Sequence, residues 1–128
     1  MEILIEAIVL LLIFGFGFYI IRKIIPAKDV KQIRGDSLRE ILEADKAVLL
    51  DVRPKSQFNQ FHIKGFKNIP LRQIKELSKE MSDTSQPIVV MSQTGAAGNE
   101  ACKRLKRKGF TDLTNIQGGM SSWDVNNV

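Results

Sequence analysis

The segment VVMSQTGAAGNEACKRL joins an apolar strand to a helix through a loop of small residues. Ser92 is the first residue after the predicted strand. The backbone N–H groups of such a loop, together with the positive end of the following helix, stabilise an anion at its centre. The loop therefore leaves three roles open for the Ser92 hydroxyl: it reacts, it binds an anion, or it stands where a reactive group has been lost.

Two further candidate residues, Asp51 and Arg53, lie at the end of another apolar strand. In a parallel sheet, ligand sites lie at the carboxyl ends of the strands, so these residues and the loop are predicted to meet there. Cys102 is the only thiol in the chain, and it follows the loop within a helix, beside Ala101 and Leu105. That position indicates a small core residue, rather than a displaced nucleophile.

The length and composition of the chain limit the number of domains that can position these residues. A chain of 128 residues with 44% hydrophobic content holds one ordinary domain plus an appendage. A single cysteine excludes an internal disulfide framework and indicates a reducing compartment for the folded part.

The net charge of +5 is concentrated in two basic groups. Their members are Arg22, Lys23, Lys28, Lys31 and Arg34, and then Lys103, Arg104, Lys106, Arg107 and Lys108. The first group indicates an orientation signal in contact with anionic lipid headgroups, and nucleic acid is a poor alternative for it. For the second, a solvated helix face is the default, with docking to an acidic partner or to the membrane surface as the functional alternative.

The appendage is an apolar run from residue 3 to residue 21, about 28 Å long as a helix, which is close to the thickness of a hydrocarbon core. It lacks the positive n-region and cleavage site of a signal peptide, so we expect an uncleaved anchor. Basic residues follow the run and none precedes it, which predicts a single-pass protein of the cell membrane with Met1 outside and the remainder in the cytoplasm. The predicted division is an anchor over 1–25, a linker over 26–29 and a domain over 30–128.

Beyond the linker, short apolar runs alternate with segments of helical period. Strands are predicted over 30–33, 47–53, 66–69, 87–91 and 113–116, and helices over 36–46, 55–61, 71–81 and 98–108. Ser37 and Glu40 have the spacing of a capping box, and Gly109 is a natural end for the last helix. Strands separated by single helices predict an α/β fold, a parallel sheet with helices on both faces.

Three segments of this sequence resemble the rhodanese family, in the order and spacing of that family. LLDVRPKSQFNQFHIKGFKNIPL is similar to its DVR strand, HI-x-G turn and NIPL segment, and GGMSSW is similar to its GG-x-x-x-W signature. VVMSQTGAAG falls where rhodaneses have the loop C-R-S-G-x-R-S. The resemblance covers about 30–123 and implies a three-layer fold, here preceded by one transmembrane helix. It also implies sulfurtransferase chemistry, in which a loop cysteine carries sulfane sulfur as a persulfide.

The resemblance assigns the loop residue by residue. It puts Ser92 at the nucleophilic cysteine and Gly95 at the family glycine. Gln93, Thr94, Ala97 and Gly98 take the places of Arg, Ser, Arg and Ser, and Ala96 is the variable position. It also gives Asp51 and Arg53 a supporting role, tying the loop to neighbouring turns, and makes Trp123 a core residue.

A serine cannot replace that cysteine, because its hydroxyl stays protonated where a thiol with a pKa of about 8.5 ionises, and oxygen cannot carry a persulfide. A hydrolase would need a base, and the only histidine, His62, lies in the structural HI-x-G turn. Two functions remain open: a membrane-tethered binding or regulatory module without turnover, and a sulfurtransferase whose cysteine has been replaced. Neither needs a cofactor or a metal. The partners expected are the membrane, through residues 3–21, and a sulfane-sulfur donor or small oxyanion at the loop, besides a protein partner that the sequence leaves unidentified.

Overall fold

The alternation of strands and helices is realised in a computed structural model, which describes residues 1–123. The helices are α1 (Glu2–Ile24), α2 (Leu38–Ala44), α3 (Lys55–Gln60), α4 (Ile74–Glu80), α5 (Ala96–Arg107) and α6 (Gly119–Ser122). The strands are β1 (Lys31–Ile33), β2 (Val48–Asp51), β3 (Lys67–Asn68), β4 (Ile88–Met91) and β5 (Leu113–Ile116). Short 3-10 turns, Gly35–Ser37 and Leu71–Gln73, lead into α2 and α4.

The strands form one five-stranded sheet in the order β1-β5-β4-β2-β3, with every neighbouring pair parallel. The central strand β4 pairs with β2 from Ile88 opposite Val48, and with β5 from Ile88 opposite Leu113. All four of its residues are buried, as expected for a strand covered on both faces. Its carboxyl end at Met91 leads directly into the loop that begins with Ser92.

Alternate side chains of β4 belong to two different hydrophobic clusters. Ile88 and Val90 face the cluster that contains residues of α4 and α5, whereas Val89 and Met91 face the one that contains Leu38 and residues packed from α2 and α6. A period of two along a strand sends successive side chains to opposite faces, so helices cover both faces of the sheet. The predicted three-layer α/β fold is confirmed.

The beginning of α2 differs from the prediction. Ser37 already has helical backbone angles and makes no side-chain cap hydrogen bond, whereas a capping box requires an extended N-cap residue. The chain enters α2 through the preceding 3-10 turn, and the carboxylate of Asp36 accepts the Ser37 N–H instead, at 2.9 Å. The capping-box prediction is therefore wrong. The prediction for the end of α5 is confirmed, because Gly109 follows it with a φ of +97°.

The first helix, α1, is long and apolar enough to cross a membrane, with a mean hydropathy of 2.6 and none of its residues buried. A membrane anchor and a signal sequence both meet these criteria. Its carboxyl end contacts α5: the Lys103 ammonium donates to the backbone carbonyl of Arg22 at 2.5 Å, and the Lys106 ammonium donates to that of Lys28. The two basic groups of the sequence are thereby brought together.

Candidate functional site

The loop between β4 and α5 folds around the Ser92 side chain. Ser92 is fully buried, and its hydroxyl oxygen accepts the backbone N–H of Gly95 at 2.9 Å. Gly95 has a φ of +95°, which turns the chain into α5 and favours glycine at this position. The hydroxyl thus lies inside the turn, next to the positive end of a twelve-residue helix.

The carbonyl groups of this loop point away from Ser92 and are held by α6. The N–H of Met120 donates to the Ser92 carbonyl at 2.8 Å, and the N–H of Ser121 donates to the Gln93 carbonyl at 3.0 Å. A Cβ atom on Gly119 would lie 2.1 Å from the Ser92 carbonyl oxygen, so only glycine allows this approach. The second glycine of the GGMSSW segment is therefore a structural requirement of the loop, and α6 itself was not predicted.

Beneath the loop lies a buried polar network centred on Asn115 of β5. Its side-chain amide donates to Gln32 and Asn99 at 2.9 Å each, and lies 3.2 Å from the Gly95 carbonyl oxygen. The Asn115 carbonyl oxygen has no hydrogen-bond partner among the described residues. That oxygen would lie 2.1 Å from a Cβ atom on Gly98, so Asn115 fills the space that a side chain at position 98 would need. No local sequence pattern marks this network, so it was not predicted.

The predicted supporting pair, Asp51 and Arg53, is buried and closely bound. The Arg53 guanidinium donates to the two Asp51 carboxylate oxygens at 2.8 to 3.1 Å, and its Nη2 also donates to the Phe61 carbonyl at 2.7 Å. The Asn68 amide donates to the backbone carbonyls of both residues. The pair ties the end of β2 to the turns that follow α3 and begin β3. Among the described residues, these hydrogen bonds hold the pair to the neighbouring turns, and its expected role in holding the loop stays a prediction.

A cleft of about 560 Å³ opens above the loop, between the ends of β2 and β4. Its lining residues are Val52, Arg53, Pro54, Gln57, Pro70, Leu71, Arg72, Ser92, Gln93 and Ala97. Ser92 forms its floor, while Thr94 is exposed and lies outside the lining. Arg72, which the sequence analysis missed, supplies an exposed positive charge at the edge.

Two residues considered as nucleophile or base have structural positions. Cys102 is fully buried in the cluster with α4, and burial raises the pKa of its thiol to about 12. It stays a neutral thiol at physiological pH, which confirms that it is a core residue. The ring of His62 stacks on Phe58 with 3.8 Å between ring centroids, and His62 does not line the cleft. Trp123 packs against the second hydrophobic cluster, as predicted.

The parallel sheet, with a small-residue loop running from its central strand into a helix and a glycine pair supporting that loop, defines a rhodanese-like fold. Residues 35–126 match the family of the rhodanese-like domain, and the chain belongs to this sulfurtransferase family. The fold is similar to that of a rhodanese-like domain protein from Staphylococcus aureus, with a TM-score of 0.66, 24% identity and coverage of 74% of this chain and 92% of that one. It is also similar to human single-domain sulfurtransferase TSTD1, with a TM-score of 0.64, 22% identity and coverage of 76% and 96%.

Relatives by sequence include protein YqhL of Bacillus subtilis, 36% identical over 78 residues, which are 61% of each chain. Thiosulfate sulfurtransferase GlpE of Shewanella oneidensis is 28% identical over 98 residues, which are 77% of this chain and 96% of that protein. The chain spans only 61% of YqhL and 52% of a second Bacillus subtilis relative, YrkF. The likeness therefore concerns the rhodanese-like domain.

The contact between Gly98 and Asn115 is testable by stability. Gly98→Ser forces its Cβ against the Asn115 oxygen and should lower the free energy of unfolding by about 1–3 kcal/mol, the usual cost of overpacking a core. Asn115→Ala should be destabilising alone, yet the double variant should lose less than the sum of the single losses, because the clash is gone. The single tryptophan, Trp123, reports urea unfolding of the detergent-solubilised chain.

The matched control is Ala96→Ser, which places the same serine side chain at an exposed position of the same helix. It should stay within about 0.5 kcal/mol of the parent. Strict additivity of the Gly98 and Asn115 changes would show that these two residues do not compete for space.

Proposed function

We propose that this chain is a membrane-anchored rhodanese-like module in which Ser92 occupies the position of the family's nucleophilic cysteine. In this proposal it binds a ligand or regulates a partner without transferring sulfur. The observation that carries the proposal is the Ser92 hydroxyl itself, buried at the floor of the cleft and accepting the Gly95 N–H at 2.9 Å. The loop surrounds an oxygen at the point where sulfur chemistry would need a thiolate.

The surroundings of Ser92 give it no means of activation. A serine nucleophile needs a base within hydrogen-bond reach, and the described lining of the cleft contains no histidine, aspartate or glutamate. Its charged groups are the guanidinium groups of Arg53 and Arg72, which cannot accept a proton. The one thiol, Cys102, is buried on the far side of the α5 backbone from solvent and has a pKa of about 12.

The remaining loop departures support a natural loss of activity. An isolated Cys→Ser exchange would leave the rest of the loop as in active relatives. Here Gly98 is matched by Asn115, whose side chain fills the space next to it. Ala97 and Gly98 depart from the family loop in addition to Ser92, which supports a loss of activity that is not confined to one position.

The alternative is an active sulfurtransferase whose catalytic cysteine is replaced by serine in this sequence. The name of the relative from Shewanella oneidensis, thiosulfate sulfurtransferase, favours this function for an intact family site. A cysteine codon at position 92 of the encoding gene would decide for the alternative.

The ligand that we propose for the cleft is a small oxyanion. The end of α5, the loop N–H groups and the Arg72 guanidinium each favour negative charge near the cleft floor. Ser92 and Gln93 belong to the described lining of the cleft, whereas Thr94 lies outside it. Arg53 is already bound to Asp51, so Arg72 is the charged group available to the anion.

We also propose that α1 is an uncleaved anchor within residues 1–25, followed by a linker over 26–29 and a domain over 30–128 with its sheet in the cytoplasm. The basic residues after the apolar segment support this orientation. The first strand begins at Lys31, which supports the start of the domain near residue 30. Residues 124–128 lie outside those that the structure describes.

The catalytic prediction concerns sulfur transfer from thiosulfate to cyanide. The full chain in detergent should form thiocyanate no faster than the Ser92→Ala variant, which keeps the loop but removes the hydroxyl. Ser92→Cys should restore at most weak activity, because the family arginine and serine at positions 97 and 98 are absent. Full activity of Ser92→Cys would establish position 92 as the only lesion, and a persulfide on Cys102 would contradict the proposal.

Oxyanion binding is measured by titrating sulfate and phosphate while recording the amide NMR signals of residues 93–98. We expect a dissociation constant in the millimolar range, which corresponds to a binding free energy of about 4 kcal/mol. The reason is that few groups donate hydrogen bonds to the anion and the site is partly exposed to water. Arg72→Gln should weaken binding about threefold, as expected for an exposed charge, whereas Lys46→Gln, an exposed change on another part of the domain, should not. Loop signals that stay fixed at tens of millimolar anion would exclude this ligand.

Membrane topology is tested with intact cells. Protease added outside should spare the domain and digest it only after permeabilisation, because the basic side of α1 faces inward. Removal of residues 1–25 should release the protein into the soluble fraction. Digestion of the domain in intact cells would reverse the orientation.

A further inference from the structure

The carboxyl end of α1 and one side of α5 enclose a second cleft, of about 390 Å³, away from the floor at Ser92. Its lining contains basic side chains from two distant parts of the chain: Arg22 and Lys23 of α1, and Lys103 and Arg107 of α5. We propose that this cleft binds the phosphate headgroup of an anionic phospholipid and so docks the domain on the membrane surface. This inference rests on the proposed anchoring of α1.

The charges of the cleft are nearly all of one sign. Glu100 is the only acidic side chain in its described lining, and the Arg104 guanidinium offsets it at 3.1 Å. The positive groups therefore remain uncompensated. Close basic side chains with no acidic partner attract a phosphate, and arginine adds bidentate hydrogen bonds to its oxygens.

The position of the cleft favours a lipid over a free anion or an acidic protein. Tyr19, Ile25 and Pro26 form its apolar part, next to the end of the apolar helix. Tyrosine side chains are enriched where helices leave the bilayer, at the level of the headgroups. A ligand with a phosphate above an apolar body matches both parts of this lining.

Hydrogen bonds from α5 to the end of α1 and to the linker hold the cleft in this arrangement. Lys103 and Lys106 donate to the backbone carbonyls of Arg22 and Lys28, and Lys106 also lies 3.4 Å from the Asp29 carboxylate. An ammonium group has three donors, so Lys103 keeps two for a ligand. The second basic group of the sequence therefore lies beside the first. A helix face exposed only to solvent would make no such contacts.

The test uses the full chain in detergent, with phosphatidylglycerol and phosphatidylcholine as probes and native mass spectrometry to count retained lipid. The parent should retain phosphatidylglycerol in preference to phosphatidylcholine. Lys103→Gln/Arg107→Gln should lower phosphatidylglycerol affinity roughly 10- to 30-fold, since each basic residue contributes about tenfold or less near an anionic surface. The control variant Lys46→Gln/Lys55→Gln removes the same charge at exposed positions elsewhere in the domain. It should leave the affinity for phosphatidylglycerol unchanged.

Arg107→Gln alone keeps the hydrogen bonds of Lys103 and Lys106, and should lower the affinity several-fold without disturbing the contact between α1 and α5. Equal retention of the two lipids by the parent, or equal losses in the cleft and control variants, would overturn the proposal. Inorganic phosphate that displaces phosphatidylglycerol at millimolar concentration would also overturn it, by showing a free-anion site. A chain absent from the membrane fraction would instead refute the anchor.

Discussion

The backbone contact between α6 and the loop after β4 is the constraint on which the site depends. The N–H groups of Met120 and Ser121 bind the carbonyls of Ser92 and Gln93, so those carbonyls face outward. Gly119 makes this possible, because any Cβ there would collide with the Ser92 carbonyl. The shape of the loop therefore depends on backbone contacts with α6.

That separation explains how a family site can keep its shape while its chemistry changes. Sulfur transfer depends on one atom at position 92, whereas the turn depends on Gly95, Gly119 and the end of α5. Replacing sulfur with oxygen leaves the Gly95 N–H satisfied, by the Ser92 hydroxyl, at 2.9 Å. The backbone contacts of the turn are therefore compatible with a serine at position 92.

The pattern of apolar residues was sufficient to predict the chain order of the five strands and of α1 to α5, because that local pattern shows which faces of an element are buried. It did not predict α6. Ile88 to Met91, apolar throughout, could only be a central strand. Contacts between distant segments have no corresponding pattern in the local sequence. The pairing of Asn115 with Gly98, the approach of Gly119 to Ser92 and the place of Arg72 at the cleft all depend on how the elements pack. Even the capping box failed for this reason, since the path into α2 decides whether Ser37 is extended.

A groove lies between the two clefts and shares lining residues with each of them. Leu71 and Ala97 line the cleft above Ser92, and they also line a groove that runs to Tyr19 and Lys23 at the end of α1. With α1 in a bilayer, that groove lies at the level of the headgroups. A ligand of the Ser92 cleft would then approach along a surface rich in phosphate, and an anion would compete there with lipid for Lys23. An anionic bilayer surface repels small anions, so in that arrangement the basic side chains of the groove would offset part of this repulsion along the path to the loop.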